Sequence, residues 1–315
     1  QEMPNQSTVT EFLLLGFSDV RELQILHFVV FLVIYVAALV GNLLIISAIV
    51  LDHRLHTPMY FLLGNLSILD ICYISVAVPK SMANSWNNTQ RISFPGCVAQ
   101  VYFGLYFASA ELCLLMAMAY DRYVAICHPL RYRLIMAGGA CAQMAAGSWI
   151  ASSIYSLLHT ANTFRLPFCG SNAISQFFCD MPLLLKLACA DTHANEIVVI
   201  LCSAFGGLIF FISILVSYIH IFLAVLRIPT SQGRYKAFFT CLPHLVVFWL
   251  FISTGIYTYL QTRSATTQSE GMLAAVLYTI VSPVLNPLIY SLRNKEIKDA
   301  LGRILIKMIF TKSTF

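Results

Sequence analysis

The chain has 315 residues, of which 59% are apolar and only 10% charged, whereas a soluble domain is nearer half apolar and a quarter charged. Charged side chains are too scarce to cover one or two water-soluble units, so the composition requires the bilayer as solvent. The formal net charge of +5, from 19 Lys and Arg against 14 Asp and Glu, comes without a continuous basic run, which sets nucleic acid aside as a partner.

Residues 1–24 lack a basic start and an apolar core, so no cleavable leader is expected and the first apolar stretch is read as the anchor. Beyond them, charge-poor stretches recur at 25–50, 58–78, 100–120, 137–158, 197–226, 237–260 and 272–292. About 20 residues suffice to cross roughly 30 Å of hydrocarbon. Backbone amides in lipid must bond within their own segment, so such stretches are helices. The expectation is an all-α membrane protein, a seven-transmembrane helix bundle over 25–292. Its longest connection is the segment 159–195, too small to hold an aqueous catalytic domain.

Orientation follows from the basic residues of the short loops. With residues 1–24 extracellular, thirteen of the 19 Lys and Arg fall on the cytoplasmic side. This predicts a multi-pass plasma-membrane protein with its N-terminus outside. The sequons Asn5-Gln6-Ser7 and Asn87-Asn88-Thr89 then lie outside, which makes Asn5 and Asn87 glycosylation candidates, whereas Asn65-Leu66-Ser67 is inside the second helix.

Cysteines divide in the same way. Cys97, Cys169, Cys179 and Cys189 face the oxidising side, while Cys72, Cys113, Cys127, Cys141, Cys202 and Cys241 lie in or near helices as small apolar fillers. Four outer cysteines allow three pairings, and spacing does not choose among them. A bridge from Cys97 to the segment 159–195 would pin that segment over the mouth of the bundle.

No phosphate-binding loop, zinc-protease helix or serine-hydrolase elbow occurs, and His and Cys do not cluster at zinc spacing, so an enzyme is not expected. Receptor, transporter and channel remain. The seven stretches show neither the internal duplication common in transporters nor the repeated polar lining of a channel. Two carboxylates, Asp70 and Glu111, lie well inside helices, where charge is costly and usually functional. Two bare carboxylates in one dry site repel, and either of two things relieves them: one shared proton, or a sodium ion held by Asp70, Glu111 and Asn286. No other cofactor is implied.

The third stretch organises the remainder. Glu111 and Arg122 are three helical turns apart on one face, about 16 Å along the axis. From Cys97 to Arg122 the same rod covers about 37 Å, enough to cross the membrane. Asp121 stands beside Arg122, and Tyr218 and Tyr290 end other stretches at that level.

The run Met118-Ala119-Tyr120-Asp121-Arg122-Tyr123-Val124-Ala125-Ile126-Cys127 resembles the signature of odorant receptors, a branch of the rhodopsin-like G-protein-coupled receptors. Similar matches follow the chain in order: Gly41-Asn42, Pro58-Met59-Tyr60-Phe61, Leu66-Ser67-Ile68-Leu69-Asp70, Ser217-Tyr218 and the run from Pro283 to Asn294. The resemblance implies bridges Cys97–Cys179 and Cys169–Cys189. It also implies a ligand pocket in the outer half, lined by Leu105, Ala108, Ser109, Leu112, Cys202, Ser203, Ile256, Tyr259, Val276 and Thr279. Mostly apolar, with a few hydroxyls, that lining suits a small, weakly polar volatile held by burial and one or two hydrogen bonds. Gly104 stands where amine receptors of similar fold carry an aspartate, so a cationic amine lacks that partner.

On the cytoplasmic side the resemblance assigns coupling to Asp121, Arg122, Tyr123, Tyr218, Lys236, His244 and Tyr290. The implied partner is a heterotrimeric G protein of the stimulatory olfactory type that raises cyclic AMP. Ligand would favour one packing of the bundle over another by its difference in affinity for the two. The sixth stretch departs from the family pattern at Phe239, Pro243 and Ile252, and a proline there removes a backbone donor and can kink the helix. Two other readings stand beside the odorant receptor: a non-olfactory receptor for a metabolite, and, from Asp70 and Glu111 alone, an ion- or lipid-conducting bundle.

In the last segment, 293–315, Ile297, Leu301, Ile304, Leu305 and Met308 recur at helical spacing among basic residues. This predicts a short amphipathic helix on the inner leaflet, in contact with membrane lipids.

Overall fold

The computed structural model describes residues 9–18, 20–168, 171–188, 193–227, 230–263 and 268–312. The chain folds as a bundle of seven long helices: α1 (Arg21–Leu51), α2 (Pro58–Asn87), α3 (Phe94–Cys127), α5 (Gly138–Phe164), α7 (His193–Leu226), α8 (Ser231–Arg263) and α9 (Gln268–Arg293). The short helices α4 (Tyr132–Ile135) and α6 (Met181–Leu187) lie in connections, and α10 (Lys295–Lys312) follows the bundle.

By length and apolar content, five of the described helices suffice on their own to cross a membrane: α1, α2, α3, α7 and α9. Helix α5 makes a sixth together with Pro129–Ile135, from which it is bent by 64°. In α8 the apolar stretch that falls wholly within the described side chains is Cys241–Tyr257.

Helix α1 shows how the bilayer replaces water. Phe31, Ala38, Asn42, Ile45 and Ala48 recur at helical spacing and are buried, whereas Val29, Val33, Val36, Val40 and Leu43 point away from the protein. An all-round apolar helix is stable here because its exposed face meets hydrocarbon.

One packing detail explains the Gly41-Asn42 pair. A Cβ at Gly41 would lie 3.1 Å from the Pro287 side chain, so glycine lets α1 approach α9 closely. Pro287 has no N–H to give the carbonyl one turn before it. Asn42 supplies the missing donor: its Nδ2 reaches the Pro283 carbonyl at 2.9 Å and the Ala38 carbonyl at 3.0 Å. The buried carbonyl left open by Pro287 is therefore paired across the interface.

The helices run beyond the stretches predicted from hydropathy. α2 continues to Asn87, α5 to Phe164, and α3 starts at Phe94 behind Ser93, whose Oγ accepts from the Gly96 amide at 3.2 Å. A hydropathy window sees only the hydrocarbon-depth portion, while the backbone ladder continues until a cap or proline ends it. The predicted connection 159–195 thus yields residues to α5 and α7 at its two ends. Pro243 sits inside α8, which remains one helix from Ser231 to Arg263.

The sequence reading did not foresee a small sheet at the Cys97 end. β1 (Glu11–Leu14) pairs antiparallel with β2 (Arg91–Ser93) and parallel with β3 (Ala173–Ile174), giving the order β2-β1-β3. Phe12 and Leu14 are buried from it against Ile92, Cys97, Ile174, Cys179 and Leu184. The segment before α1 is thereby fastened over the bundle.

At the opposite end α10 docks by Ile297 and Ala300, both fully buried in one apolar cluster with Ile45, Leu55, Tyr60 and Tyr290; Leu301 and Ile304 pack against it. Asn294 caps the helix, its Oδ1 accepting from the amides of Glu296 at 3.0 Å and Ile297 at 3.3 Å. Tyr60 reaches both Asn294 and Glu296, and Arg303 pairs with Asp52. The guanidinium of Arg303 holds the Asp52 carboxyl below its ordinary range. The side chains of Leu305 and Met308 lie outside the described residues.

Candidate functional site

Three groups of residues are strung along α3: a cavity at the Cys97 end, a buried polar cluster midway, and an ion-paired cluster at the Arg122 end.

The cavity lies where α2, α3, α8 and α9 meet the segment that leads into α6, and its volume is about 250 Å³. From α3 the residues Gln100, Val101, Gly104 and Leu105 line it, one face of the helix. Tyr73, Val76 and Ala77 come from α2, Gly255 from α8, Tyr278 and Thr279 from α9, and Phe178 to Pro182 form the remaining wall.

A disulfide between Cys97 and Cys179, with Cα atoms 5.5 Å apart, ties that wall to the first turn of α3. Gln100, one turn on, adds a second tie. Its Oε1 accepts from the Cys179 amide at 3.0 Å, and its Nε2 donates to the Val76 carbonyl at 3.1 Å. Further polar groups border the cavity, among them the hydroxyls of Tyr73 and Tyr278 and the carboxyl of Asp180. Among the described residues the buried Tyr73 hydroxyl has no partner within 3.5 Å; the Tyr278 hydroxyl is its polar neighbour, and the two rings meet edge to face at 6.0 Å. Burial pushes the Asp180 carboxyl up to about 6, against the lowering influence of the Met181 backbone and Lys186.

Of the residues expected to line a pocket, Leu105 and Thr279 face this cavity. Ala108 and Leu112 pack just beneath it against Tyr73 and Phe251. Ser109 turns its hydroxyl to the Tyr106 carbonyl of its own helix, at 3.1 Å. Val276 borders a separate opening between β1, α1 and α9. Cys202 is exposed and Ile256 is 56% exposed, so both face away from the cavity in this packing. Apolar residues on α7 and α8 are as compatible with lipid as with a pocket, and their chemistry alone does not tell the two faces apart. The side chains of Ser203 and Tyr259 lie outside the described residues, as do Cys169 and Cys189, although Phe168 and Ala188 beside them form an isolated antiparallel bridge.

Midway, Asp70 and Glu111 are fully buried on α2 and α3. Asn286 Nδ2 lies 3.0 and 3.1 Å from the two Asp70 oxygens, 3.3 Å from Glu111 Oε1 and 3.0 Å from Ser282 Oγ. The Ser282 hydroxyl donates to Glu111. No group of three or more His, Cys, Asp and Glu side chains is arranged for a metal among the described residues. The donors present are hard oxygens of two carboxylates, a hydroxyl and an amide. That set suits an alkali cation or one shared proton and no softer metal.

At the other end Asp121 is fully buried and doubly held. It accepts from Arg122 Nη2 at 2.8 Å and from the Tyr132 hydroxyl at 2.7 Å. Beside it, His244 Nε2 lies 2.7 Å from the Leu115 carbonyl and Nδ1 lies 2.7 Å from the Tyr218 hydroxyl. A carbonyl only accepts, so Nε2 carries the proton; with the imidazole neutral, Nδ1 accepts from Tyr218. One imidazole joins α3, α7 and α8. The Tyr123 hydroxyl pairs with His128 at 3.0 Å, and among the described residues the buried Tyr290 hydroxyl has no hydrogen-bond partner. The Lys236 side chain lies outside the described residues.

Tyr132 and Asp180 escaped the sequence reading because both sit in connections without periodicity. Each had a positional signal: Asp180 follows a cysteine expected to be bridged, and Tyr132 follows the Asp121-Arg122 helix by one short turn.

A family model described as olfactory receptor matches residues 31–308. Among curated proteins, the chain is 52% identical over 308 residues to human olfactory receptor 14I1, covering 98% of this chain and 99% of that one. It is 50% identical over 310 residues to human olfactory receptor 14A16, covering 98% and 100%. It is 49% identical over 301 residues to rat olfactory receptor 1f45, covering 96% of each.

Proposed function

This chain belongs to the olfactory receptor family, a family of G-protein-coupled receptors and not of enzymes, and we propose that it binds its ligand in the cavity beneath the Cys97–Cys179 bridge. The family implies an odorant ligand and a G protein as partners. The reading extends this to a small, weakly polar volatile, and to a stimulatory, olfactory-type G protein that raises cyclic AMP. The observation that carries it is the cavity of about 250 Å³, largely apolar and fastened by a disulfide, at one end of the helix that carries Arg122 near its other end. Leu105 and Thr279 contact the ligand there, with Ala108 and Leu112 forming the floor.

The distribution of Lys and Arg supports an extracellular N-terminus. Residues 1–24 then lie outside with Asn87 glycosylated, 25–292 form the bundle, and 293–315 lie on the cytoplasmic leaflet of the plasma membrane. Asn5 lies outside the described residues.

Activation is a shift between two packings of the bundle. In the packing described, Asp121 holds Arg122, and His244 fastens the inner ends of α3, α7 and α8 together. A buried hydroxyl without a partner costs about 1–3 kcal/mol, and Tyr290 carries one. The alternative packing relieves it by giving Tyr290 a partner, frees Arg122 from Asp121, and opens a cleft for a G-protein helix at Tyr123, Tyr218 and Lys236. Asp70, Glu111 and Asn286 hold either a sodium ion or one proton, which neutralises charge between the two ends.

A panel of chemically diverse volatiles applied to cells that express the full chain, with a cyclic AMP reporter, tests the reading. A concentration-dependent response absent from cells without the receptor is expected. Ion or lipid flux through purified receptor in liposomes, with no response to any volatile, would support a conducting bundle instead.

A further inference from the structure

Gly104 leaves the third helix without the acid that amine receptors of similar fold carry, yet an acid lines the same cavity from the facing wall. Asp180 borders the cavity together with Gly104, Tyr73 and Tyr278. Its place follows from covalent and hydrogen-bond geometry, since the preceding residue is held to Cys97 by the disulfide and to Gln100 Oε1 through its amide. Asp180 precedes α6 yet makes no side-chain cap to it. Among the described residues no cation lies within 4 Å of its carboxylate, and Lys186, on the exposed side of α6, acts on it only at longer range.

The second polar group is independent of the first. Tyr73 is 5% exposed, lines the same cavity, and among the described residues its hydroxyl has no partner within 3.5 Å, the Tyr278 hydroxyl lying beyond that. A buried hydroxyl of this kind is ordinarily paired, so something that enters the cavity is its natural partner. The space beside Gly104, in the same lining, is open: outside its own stretch of helix, no described atom lies within 4 Å of where its Cβ would be. The remaining walls are Val101, Leu105, Met181 and Pro182.

We propose that Asp180 is the counter-ion for a small protonated amine with an apolar body, its nitrogen at Asp180 and Tyr73 and its body against Gly104 and Leu105. The inference rests on the cavity being the ligand site, and it replaces the weakly polar ligand expected from the lining with a cationic one. A carboxylate at the cavity wall is desolvated by an entering body and regains its stabilisation only from a charged donor. A carboxylic acid of the same size meets repulsion there, and an alcohol supplies a single neutral hydrogen bond.

The test uses full-length receptor purified in detergent and three probes with one ring: cyclohexylamine, cyclohexanol and cyclohexanecarboxylic acid, each at neutral pH. Ligand that binds the folded state raises the unfolding midpoint with concentration, whether or not a G protein couples. Cyclohexylamine is expected to bind at least about tenfold more tightly than cyclohexanol, the scale of a charge-assisted over a neutral hydrogen bond. Asp180→Asn abolishes that preference, and Gly104→Asp in the Asp180→Asn background restores it from the opposite wall. Equal or tighter binding of the alcohol or the acid to the unaltered receptor, no shift with the amine, or an amine preference retained in Asp180→Asn would each overturn the proposal. If Asp180→Asn does not fold, the comparison of the three probes on the unaltered receptor decides alone. Cyclic AMP measured with the same probes separates the two readings. A response to the alcohol alone leaves the receptor reading standing and removes this one, whereas amine binding lost in Asp180→Asn, with no cyclic AMP evoked by any volatile, keeps the counter-ion and removes the G-protein reading.

Discussion

His244 and Tyr218 are joined at 2.7 Å, and the other nitrogen of the same imidazole reaches the Leu115 carbonyl at 2.7 Å. This buried side chain therefore fastens three helices at the level where Arg122 meets Asp121. Each hydrogen bond contributes about 1 kcal/mol, so loss of both shifts the balance of packings by up to about thirtyfold. His244→Phe keeps the ring and removes both bonds. Raised cyclic AMP without ligand is expected in cells matched for surface receptor; an unchanged basal level would mean that the tether does not hold the resting packing.

The Cys97–Cys179 bridge closes a loop of sequence separation 82. Chain-entropy arguments assign about 4 kcal/mol to a loop of that length, an upper value where helices already limit the unfolded chain. Cys97→Ala is expected to lower the unfolding midpoint and to free the Cys179–Asp180 wall. Surface labelling and thermal unfolding measure the first effect. Ligand affinity on the fraction that reaches the surface measures the second, and both should fall.

Asp180 gives a pH dependence of opposite sign with and without a cationic ligand. Its pKa in the folded protein is raised from 3.8 to about 6. A raised acid favours the protonated folded state, so its contribution to stability is fully present below about pH 4 and is lost as pH rises through 6. An amine complex needs the carboxylate, so amine affinity falls as pH drops below 6. The groups around Asp180 are Lys186 on α6 and the hydroxyls of Tyr73 and Tyr278. Asp180→Asn should flatten both profiles between pH 4 and 7, as read from unfolding midpoints with and without cyclohexylamine.

The contact between Tyr60 and the start of α10, together with the Arg303–Asp52 pair, fixes α10 against the bundle. An exposed ion pair contributes about 1 kcal/mol at most, so Arg303→Ala alone should leave stability nearly unchanged. Ile297 is fully buried in the same joint, and Ile297→Ala should cost about 2–5 kcal/mol. Unfolding midpoints of the two variants distinguish a helix held by charge from one held by burial, and equal effects would contradict the apolar docking.

The bundle was readable because hydrocarbon imposes long apolar stretches, and α1 or α7 can be found from composition alone. The polar neighbours along α3 were also readable, since Glu111 and Arg122 share a face by helical arithmetic. What escaped was whatever depends on pairing between distant segments. The strand Glu11–Leu14 has partners at Arg91–Ser93 and Ala173–Ile174, and nothing local announces them. Cys202 and Ile256 show the other limit, because a lipid-facing and a ligand-facing apolar residue carry the same chemistry in the sequence. Asp180 combines both difficulties, being a loop residue whose place depends on the bridge from its neighbour Cys179 to a cysteine 82 residues earlier.

Arg122→Ala tests the link between the cavity and the far end of α3 most directly. The measurement is paired: cyclic AMP evoked by the most effective volatile in cells, and the midpoint shift caused by the same volatile on purified receptor. The account predicts that cyclic AMP falls to the level of cells without receptor while the midpoint shift and surface level stay close to those of the unaltered protein. Ligand-evoked cyclic AMP that survives the loss of this guanidinium would contradict it.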